Sequence, residues 1–410
     1  MKLLAVLLAL ALLFPAAPAF AAASATDSAI AVAVVATLRG PQALAGQDVV
    51  DGFSLALKDL GQRFFNEEVR VTLVDDRGSP DAALLAVSQV IEHQRFDVVL
   101  TATSPATLAA ILPVLAKAKL FVINAGPAPA AMAGTGCSMW LFDIGGHPDG
   151  VHEAAGLQMA ADQIKRVVVV GPDMPLTRDA EAAFRRSFPG QVLETVVPRH
   201  GAADFGEEMA RIRALAPDAV YDLLTGGMGV DFVRDWDAAG FRGKLPLYAP
   251  WPGFERVPLA AMGESALDVT TLGLWAPDSD SPANRRFITE YEGEYGRPAT
   301  TWSSFGYDAA SLLDAALRAT QGKTADTDAL RAGLRRADFT SMRGAFHFNT
   351  NQFPVMTYYS RKVGRDAKGR LVNETKAAAA REWRDRTAAA CPMRWEIPPA
   401  PPSAAAKKKP

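Results

Sequence analysis

The sequence predicts an α/β chain of two doubly wound α/β lobes joined by a multi-crossing hinge. Three observations carry this expectation. At 410 residues the chain is too long for one compact core, at roughly 100–200 residues per domain. From residue 29 onward short apolar strands alternate with amphipathic helices, the pattern of βαβ units with parallel strands and right-handed crossovers. The pattern then restarts near residue 151, and later segments read as returns to the first unit. A composition of 49% hydrophobic and 21% charged residues is that of a globular chain and excludes general disorder.

Taken in order, residues 31–38 (AVAVVATL) read as a buried strand, followed by a Gly40-Pro41 turn and a helix over 49–60. A strand at 69–75 precedes a helix at 81–93, with Ala82, Leu85, Val87, Val90 and Ile91 as its apolar stripe. Strand 97–101, helix 105–118 and strand 120–124 complete the first unit. The second unit runs through helix 151–163, strand 166–171 (RVVVVG), helix 177–188, strand 191–198 and helix 205–214. It continues with strand 218–224, helix 229–239 and strand 245–249. An extended segment at 269–276, helices at 281–295, 302–320 and 327–337, and a hairpin-like stretch at 344–363 follow, with Asn349 and Asn351 at its turn. We assign 28–143 with 274–342 to the first lobe, and 144–273 with 343–375 to the second. Residues 376–395 then form a C-terminal extension carrying Cys391, and 396–410, rich in Pro, Ala and Lys, a disordered tail.

Lys2, the apolar run 3–13 and Ala19-Phe20-Ala21 describe a signal peptide over 1–21, because the run is short of the ~20 residues that span a bilayer. The expected location is therefore the periplasm. No cysteine follows the run directly, so no lipid anchor is expected. In an oxidising compartment Cys137 and Cys391 can pair; two buried thiols are the alternative, and pairing is the favoured reading. With 43 basic and 45 acidic residues, net charge −2, no basic face is indicated and nucleic acid is set aside as a partner.

Catalytic signatures are sparse. G-x-S-x-G, Walker A and H-E-x-x-H are absent, and Gly226-Gly227-Met228-Gly229 lacks dinucleotide-binding spacing. His147, Asp149, His152 and Glu153 are the one grouping of metal-ligand types, but Pro148 and Asp149 read better as a helix start. No metal and no cofactor are expected, and His93, His200 and His347 receive no role. Asp75, Asp76 and Asp173 follow strands and could work as an acid/base pair if they faced a cleft. Solvated loop acids are the commoner reading, so an enzyme is not expected and a periplasmic hydrolase is the lesser alternative.

Four stretches then acquire meaning together: LRGPQALAGQDVVDGFSLALKDL (38–60), VVVVGPDMPLTRDAEAAF (167–184), PDAVYDLLTGGMGVDFVRDWDAAGF (217–241) and FGYDAASLLDAAL (305–317), supported by GAFHFNTNQF (344–353). In their order and spacing they resemble the substrate-binding proteins of ABC importers, of the leucine/isoleucine/valine-binding type with the type I periplasmic-binding fold. The resemblance covers about 30–375. It implies a monomer that captures a small organic solute in the cleft between lobes. The solute would be branched-chain or aromatic amino-acid-like, a carboxylate or an amide. Delivery would be to an inner-membrane permease with its cytoplasmic ATPase; a ligand sensor for a membrane receptor is the alternative. The ending CPM at Cys391, with a cysteine near 137, also resembles a disulfide-bearing branch of this family.

The resemblance also implies site residues. Hydroxyls and amides of the first lobe would hold a ligand carboxylate, and Thr103 and Ser104 keep that chemistry. The next loop supplies Asn124, Ala125, Gly126 and Ala128, with Ala128 in place of a usual hydroxyl. In the second lobe Leu176 stands where an aromatic is usual and Thr225 where a tyrosine is common. Trp251 falls where an acidic residue usually meets the ligand ammonium. A buried ammonium without a carboxylate partner is costly, so these departures point away from an ordinary α-amino acid. Trp251, Leu176 and Met174 offer apolar area and an aromatic face instead.

Overall fold

A computed structural model describes residues 29–393; the expected signal peptide and the tail at 396–410 lie outside the described residues. In the first lobe β1 (Ile30–Ala36), β2 (Arg63–Phe64), β3 (Glu67–Asp75), β4 (Val98–Ala102), β5 (Phe121–Asn124) and β6 (Leu141–Asp143) form one sheet. Its order is β2-β3-β1-β4-β5-β6, with every pair except β2–β3 parallel. Central β1 is wholly apolar and buried along all of its length, as a parallel strand covered on both faces must be. The crossovers are α1 (Ala43–Asp59), α2 (Pro80–His93) and α3 (Pro105–Lys117).

The second lobe opens with α4 (Pro148–Ala161) and winds through β7 (Arg166–Val170), α5 (Pro175–Ser187), β8 (Gln191–Val196), α6 (Gly206–Leu215), β9 (Ala219–Asp222) and α7 (Gly226–Ala238). It continues with β10 (Leu247–Pro250), α8 (Arg256–Met262) and β11 (Thr270–Gly273). The chain then supplies α9 (Pro282–Tyr295), α10 (Thr301–Thr320) and α11 (Thr327–Arg336), and ends with β12 (His347–Phe348), β13 (Pro354–Arg365) and β14 (Leu371–Trp383). The second sheet runs β12-β13-β11-β10-β9-β7-β8, with β14 also on β13.

A recurring dipeptide sets several helix starts. Ser79-Pro80, Ser104-Pro105 and Ser281-Pro282 each place a serine hydroxyl on the backbone N–H three residues on, with proline pre-set at the first helical position. Helices α1 and α10 cross backbone to backbone. A Cβ on Gly52 would lie 1.9 Å from the Ser303 carbonyl oxygen, and one on Gly306 equally close to that of Val49. This approach sets the N-terminus of α10 beside α1.

The expected hairpin forms, with Asn349 N–H donating to the Phe353 carbonyl at 2.8 Å as β12 turns into β13. Four elements escaped the sequence reading, the first being the two-residue β2. Strand β6 is only three residues long, and α8 carries Pro258 inside it. Strand β14 reads LVNETKAAAAREW and has no alternation of apolar residues. It is held by the backbone ladder to β13, with bulges, so the boundary placed at 375 falls inside a strand. Cys137 and Cys391 are joined by a disulfide with Cα atoms 5.7 Å apart. No helix among the described residues is long and apolar enough to cross a membrane.

Candidate functional site

Ligands of open α/β folds bind beyond the carboxyl ends of the strands, where loops lead into helix N-termini. Direct contacts show these ends of the two lobes meeting. Trp251, just past β10, packs on Trp302 of α10, with ring centroids 4.6 Å apart. The Glu255 carboxyl accepts from the Thr301 hydroxyl at 2.6 Å, and Arg256 pairs with Asp48 of α1 at 2.9 Å.

The first-lobe wall is built from the loops after β4 and β5. Ser104 caps α3, its hydroxyl accepting from Thr107 N–H at 3.2 Å, and buried Thr103 donates to the Ser104 carbonyl at 3.3 Å. A Cβ on Gly126 would lie 2.7 Å from the Thr103 carbonyl oxygen, so only glycine lets the two loops lie this close. Asn124 is wholly buried beneath them. Its amide donates to the Asp143 carboxyl and to the Gly126 carbonyl, both at 2.7 Å, and its carbonyl accepts from the Thr101 hydroxyl at 2.9 Å. Burial pushes the Asp143 carboxyl up to about 7, opposed by its bonds from Asn124 and Gly146 N–H. Ala125 and Ala128 are buried in the core. The structure thus brings Thr103, Ser104 and Gly126 together and sets Asn124, Ala125 and Ala128 behind them.

The second-lobe wall differs. Met174 and Leu176, at the start of α5, are 46% and 61% exposed. Thr225 and the two glycines that open α7 are exposed, and the Thr225 side chain makes no capping bond. Trp251 is only 5% exposed and completes an aromatic triad with Trp302 and Phe305 of α10.

Several residues of the inter-lobe contact were missed from sequence: Asp48, Glu255, Arg256 and Trp302. Asp48 is the one with a signal, being a charge on the apolar face of α1. It is 3% exposed and accepts from Arg256, Arg297, Tyr291 and Thr300. Glu255 also accepts from Thr301 N–H at 3.3 Å, and burial raises its pKa, with Arg361 opposing.

The alternative acids are engaged in their loops. Asp75 accepts from Leu38 N–H and pairs with Arg39, Asp76 accepts from the Thr37 hydroxyl and from Gly78 N–H, and Asp173 pairs with Arg178 in the other lobe. His147 caps α4, with its ring nitrogen accepting from Asp149 N–H, while Asp149 pairs with Arg186. Among the described residues no group of three or more His, Cys, Asp or Glu side chains is placed to hold a metal ion.

A family model described as periplasmic binding protein matches residues 29–369. The chain belongs to the periplasmic binding protein family. Among curated proteins it is similar to Leu/Ile/Val-binding protein homolog 6 of Brucella melitensis, 26% identical over 373 residues that cover 86% of this chain and 92% of that one. Among solved structures it is similar to an ABC transporter substrate-binding protein from Sphaerobacter thermophilus, with TM-score 0.80, 25% identity, and 86% of this chain and 99% of that chain covered. It also shares its fold with an ABC transporter solute-binding protein from R. palustris solved with benzoate, with TM-score 0.78, 24% identity, and 89% and 100% covered. Another fold match is a solute-binding protein from Rhodopseudomonas palustris BisB5 solved with 3,4-dihydroxybenzoic acid, with TM-score 0.78, 24% identity, and 87% and 99% covered. The two-lobed periplasmic-binding architecture expected from sequence is the one observed.

Proposed function

We propose that the protein is the solute-capturing component of an ABC importer, acting in the periplasm as a monomer, and that its ligand is a small aromatic carboxylate. The observation that carries this reading is the triad of Trp251, Trp302 and Phe305 where the carboxyl ends of the two lobes meet. Trp302, the half-buried ring of the triad, supplies apolar area and an edge-to-face partner for a ligand ring, held by the buried Trp251 and Phe305. The nearest acid in the chain, Glu255, is turned to Thr301, so it is not free to meet a ligand ammonium. In the first lobe, the hydroxyls and backbone amides of the loops after β4 and β5 suit a carboxylate. The solved relatives named above with benzoate and dihydroxybenzoate support the same class. Capture proceeds by hinge closure, which brings the exposed rim of Met174, Leu176 and Thr225 onto the ligand, and a membrane permease reads the closed form.

A thermal-shift panel tests this. Benzoate, 4-hydroxybenzoate, leucine, valine and benzamide are each added to the mature protein. A ligand at 100 times its dissociation constant adds about 2.7 kcal/mol of stability. The expected result is a raised Tm with the benzoates and none with leucine or valine. A shift with leucine alone would overturn the ligand class.

A further inference from the structure

Three stretches of chain join the lobes. One is 144–147, after β6; a second is 274–281, after β11. The third is β13 itself, which starts beside β6, where Asp143 N–H donates to the Gln352 carbonyl at 3.0 Å, and then pairs with β11. A buried ion pair ties part of this together. Arg343 bonds to Asp308 of α10 at 2.6 Å and donates to the Ile144 carbonyl at 2.9 Å.

The chain adds a fourth crossing. Strand β14 starts at Leu371, opposite Arg365 in the second lobe, and runs back along β13 to Trp383, opposite Met356. On the way its Thr375 N–H donates to Asp278 of the second crossing at 2.9 Å. At the end of β14 the Trp383 indole N–H donates to Glu153 of α4 at 2.8 Å, and its ring lies 5.8 Å from that of His147, the last residue of the first crossing. Beyond Trp383 the chain lies on the first lobe. The Asp385 carboxyl accepts from Asn351 at 3.1 Å, and Asn351 also donates to the Ala133 carbonyl at 2.6 Å. A Cβ on Gly134 would lie 3.3 Å from Cβ of Thr387, and Cys391 is bonded to Cys137.

We propose that residues 371–391 are a strap that limits how far the two lobes open, with the Cys137–Cys391 disulfide as its fastening. Opening separates the face of α4, where Trp383 is held, from the loop around 133–137, where the chain is riveted. Only the short stretch from Trp383 to Cys391 spans the two, and residues 386–390 of it are already coiled into a tight helical turn. Lengthening it means unwinding that turn, and even fully extended the stretch spans at most about 3.3–3.6 Å per residue. Because the first-lobe end is covalent, opening works against the Trp383 anchor and the β13–β14 ladder. A binding protein whose competent state fills a larger fraction of its population shows a correspondingly tighter apparent Kd. The strap therefore raises affinity without touching the ligand.

The test compares three full-length mature proteins without ligand by small-angle X-ray scattering. They are the native chain, the doubly substituted Cys137→Ser/Cys391→Ser chain, and a chain keeping both cysteines with Gly-Ser-Gly inserted between Arg384 and Asp385. The expected result is a larger radius of gyration and maximum dimension in both altered proteins, with native far-UV circular dichroism. Titration with benzoate is expected to show a Kd raised severalfold. Scattering curves of the slackened protein that superimpose on the native curve would overturn the strap. If the cysteine-free chain does not fold, the slackened, disulfide-bonded protein decides alone. If benzoate binds none of the three, the ligand reading fails while the scattering comparison still stands.

Discussion

On the first-lobe side of the cleft nearly every polar group already has a protein partner, whereas the second-lobe side leaves side chains open to solvent. Asn124 makes bonds to Asp143, Gly126 and Thr101, and the Ser104 hydroxyl accepts from Thr107 N–H of its own helix. Met174, Leu176 and Thr225 have no such commitments and stand exposed. Even the buried carboxyls differ. Asp143 accepts from Asn124 and Gly146, while among the described residues Asp222, at the end of β9, accepts only from Leu224 N–H through one oxygen, and its other oxygen has no partner. A pre-organised wall orients a ligand at little entropic cost, and an uncommitted one is free to close over it. Under the proposed function, the first-lobe wall orients the ligand and the second lobe closes over it.

The largest effect is expected from breaking the committed wall. Asn124→Ala strands a buried carboxyl, a carbonyl and a hydroxyl, each worth about 1–3 kcal/mol, so we expect a loss of about 3 kcal/mol or more in chemical denaturation. A loss below about 1 kcal/mol would mean that the wall is not pre-organised through this side chain. Next comes Trp302→Ala. Trp302 is only half-buried, so calorimetry is expected to show a weaker fold effect than binding effect, with benzoate affinity falling more than tenfold, about 1.4 kcal/mol. An unchanged Kd would return the triad to simple lobe packing, and Trp251→Ala is expected to behave alike in binding with a larger loss of stability.

The two carboxyls sharpen the comparison through pH. Burial pushes Asp222 up to about 8, above its unfolded value, so the folded state holds its proton longer. Stability from this group is present at low pH and is lost as pH rises toward 8, with a slope of at most about 1.4 kcal/mol per unit. His152, lowered to about 4 by burial, acts oppositely but only below its unfolded value near 6.5. Between pH 7 and 8, therefore, the native protein is expected to lose about 1 kcal/mol that Asp222→Asn does not lose. Parallel pH profiles of Tm would show that Asp222 is ionised in the fold. The smallest stability effect is expected at the open rim. Leu176→Ala should change stability by less than about 0.5 kcal/mol yet weaken benzoate binding severalfold. A native Kd in that variant would remove Leu176 from the closing surface.

The helical and parallel-strand parts of the fold were legible because burial on both faces writes continuous apolar runs such as VVVV (167–170) and IAVAVVA, and burial on one face writes apolar stripes such as that of 81–93. Strand β14 was not, because its Ala, Lys and Glu residues hold their place through backbone hydrogen bonds, which leave no side-chain pattern. At the site, loop positions were legible as the ends of strands, and Trp251 stood out as an aromatic among them. Its partner Trp302 comes from α10, 51 residues further on, and is set in place by the Gly52 and Gly306 crossing and by the bonds of Thr300 and Thr301 to Asp48 and Glu255. Which side chains of a loop face inward was equally hidden. Asn124 and Ala128 look available in the sequence and are buried in the fold.

Under the proposed function an aromatic carboxylate lies between the Trp251–Trp302 pair and the loops after β4 and β5. A crystal structure of the mature protein with benzoate tests it most directly. The ring is expected against Trp302, with the carboxylate accepting from hydroxyls or backbone amides among residues 103–104 and 126–128. Benzoate bound away from both tryptophans, or a cleft closed on leucine with its ammonium on Glu255, would contradict it.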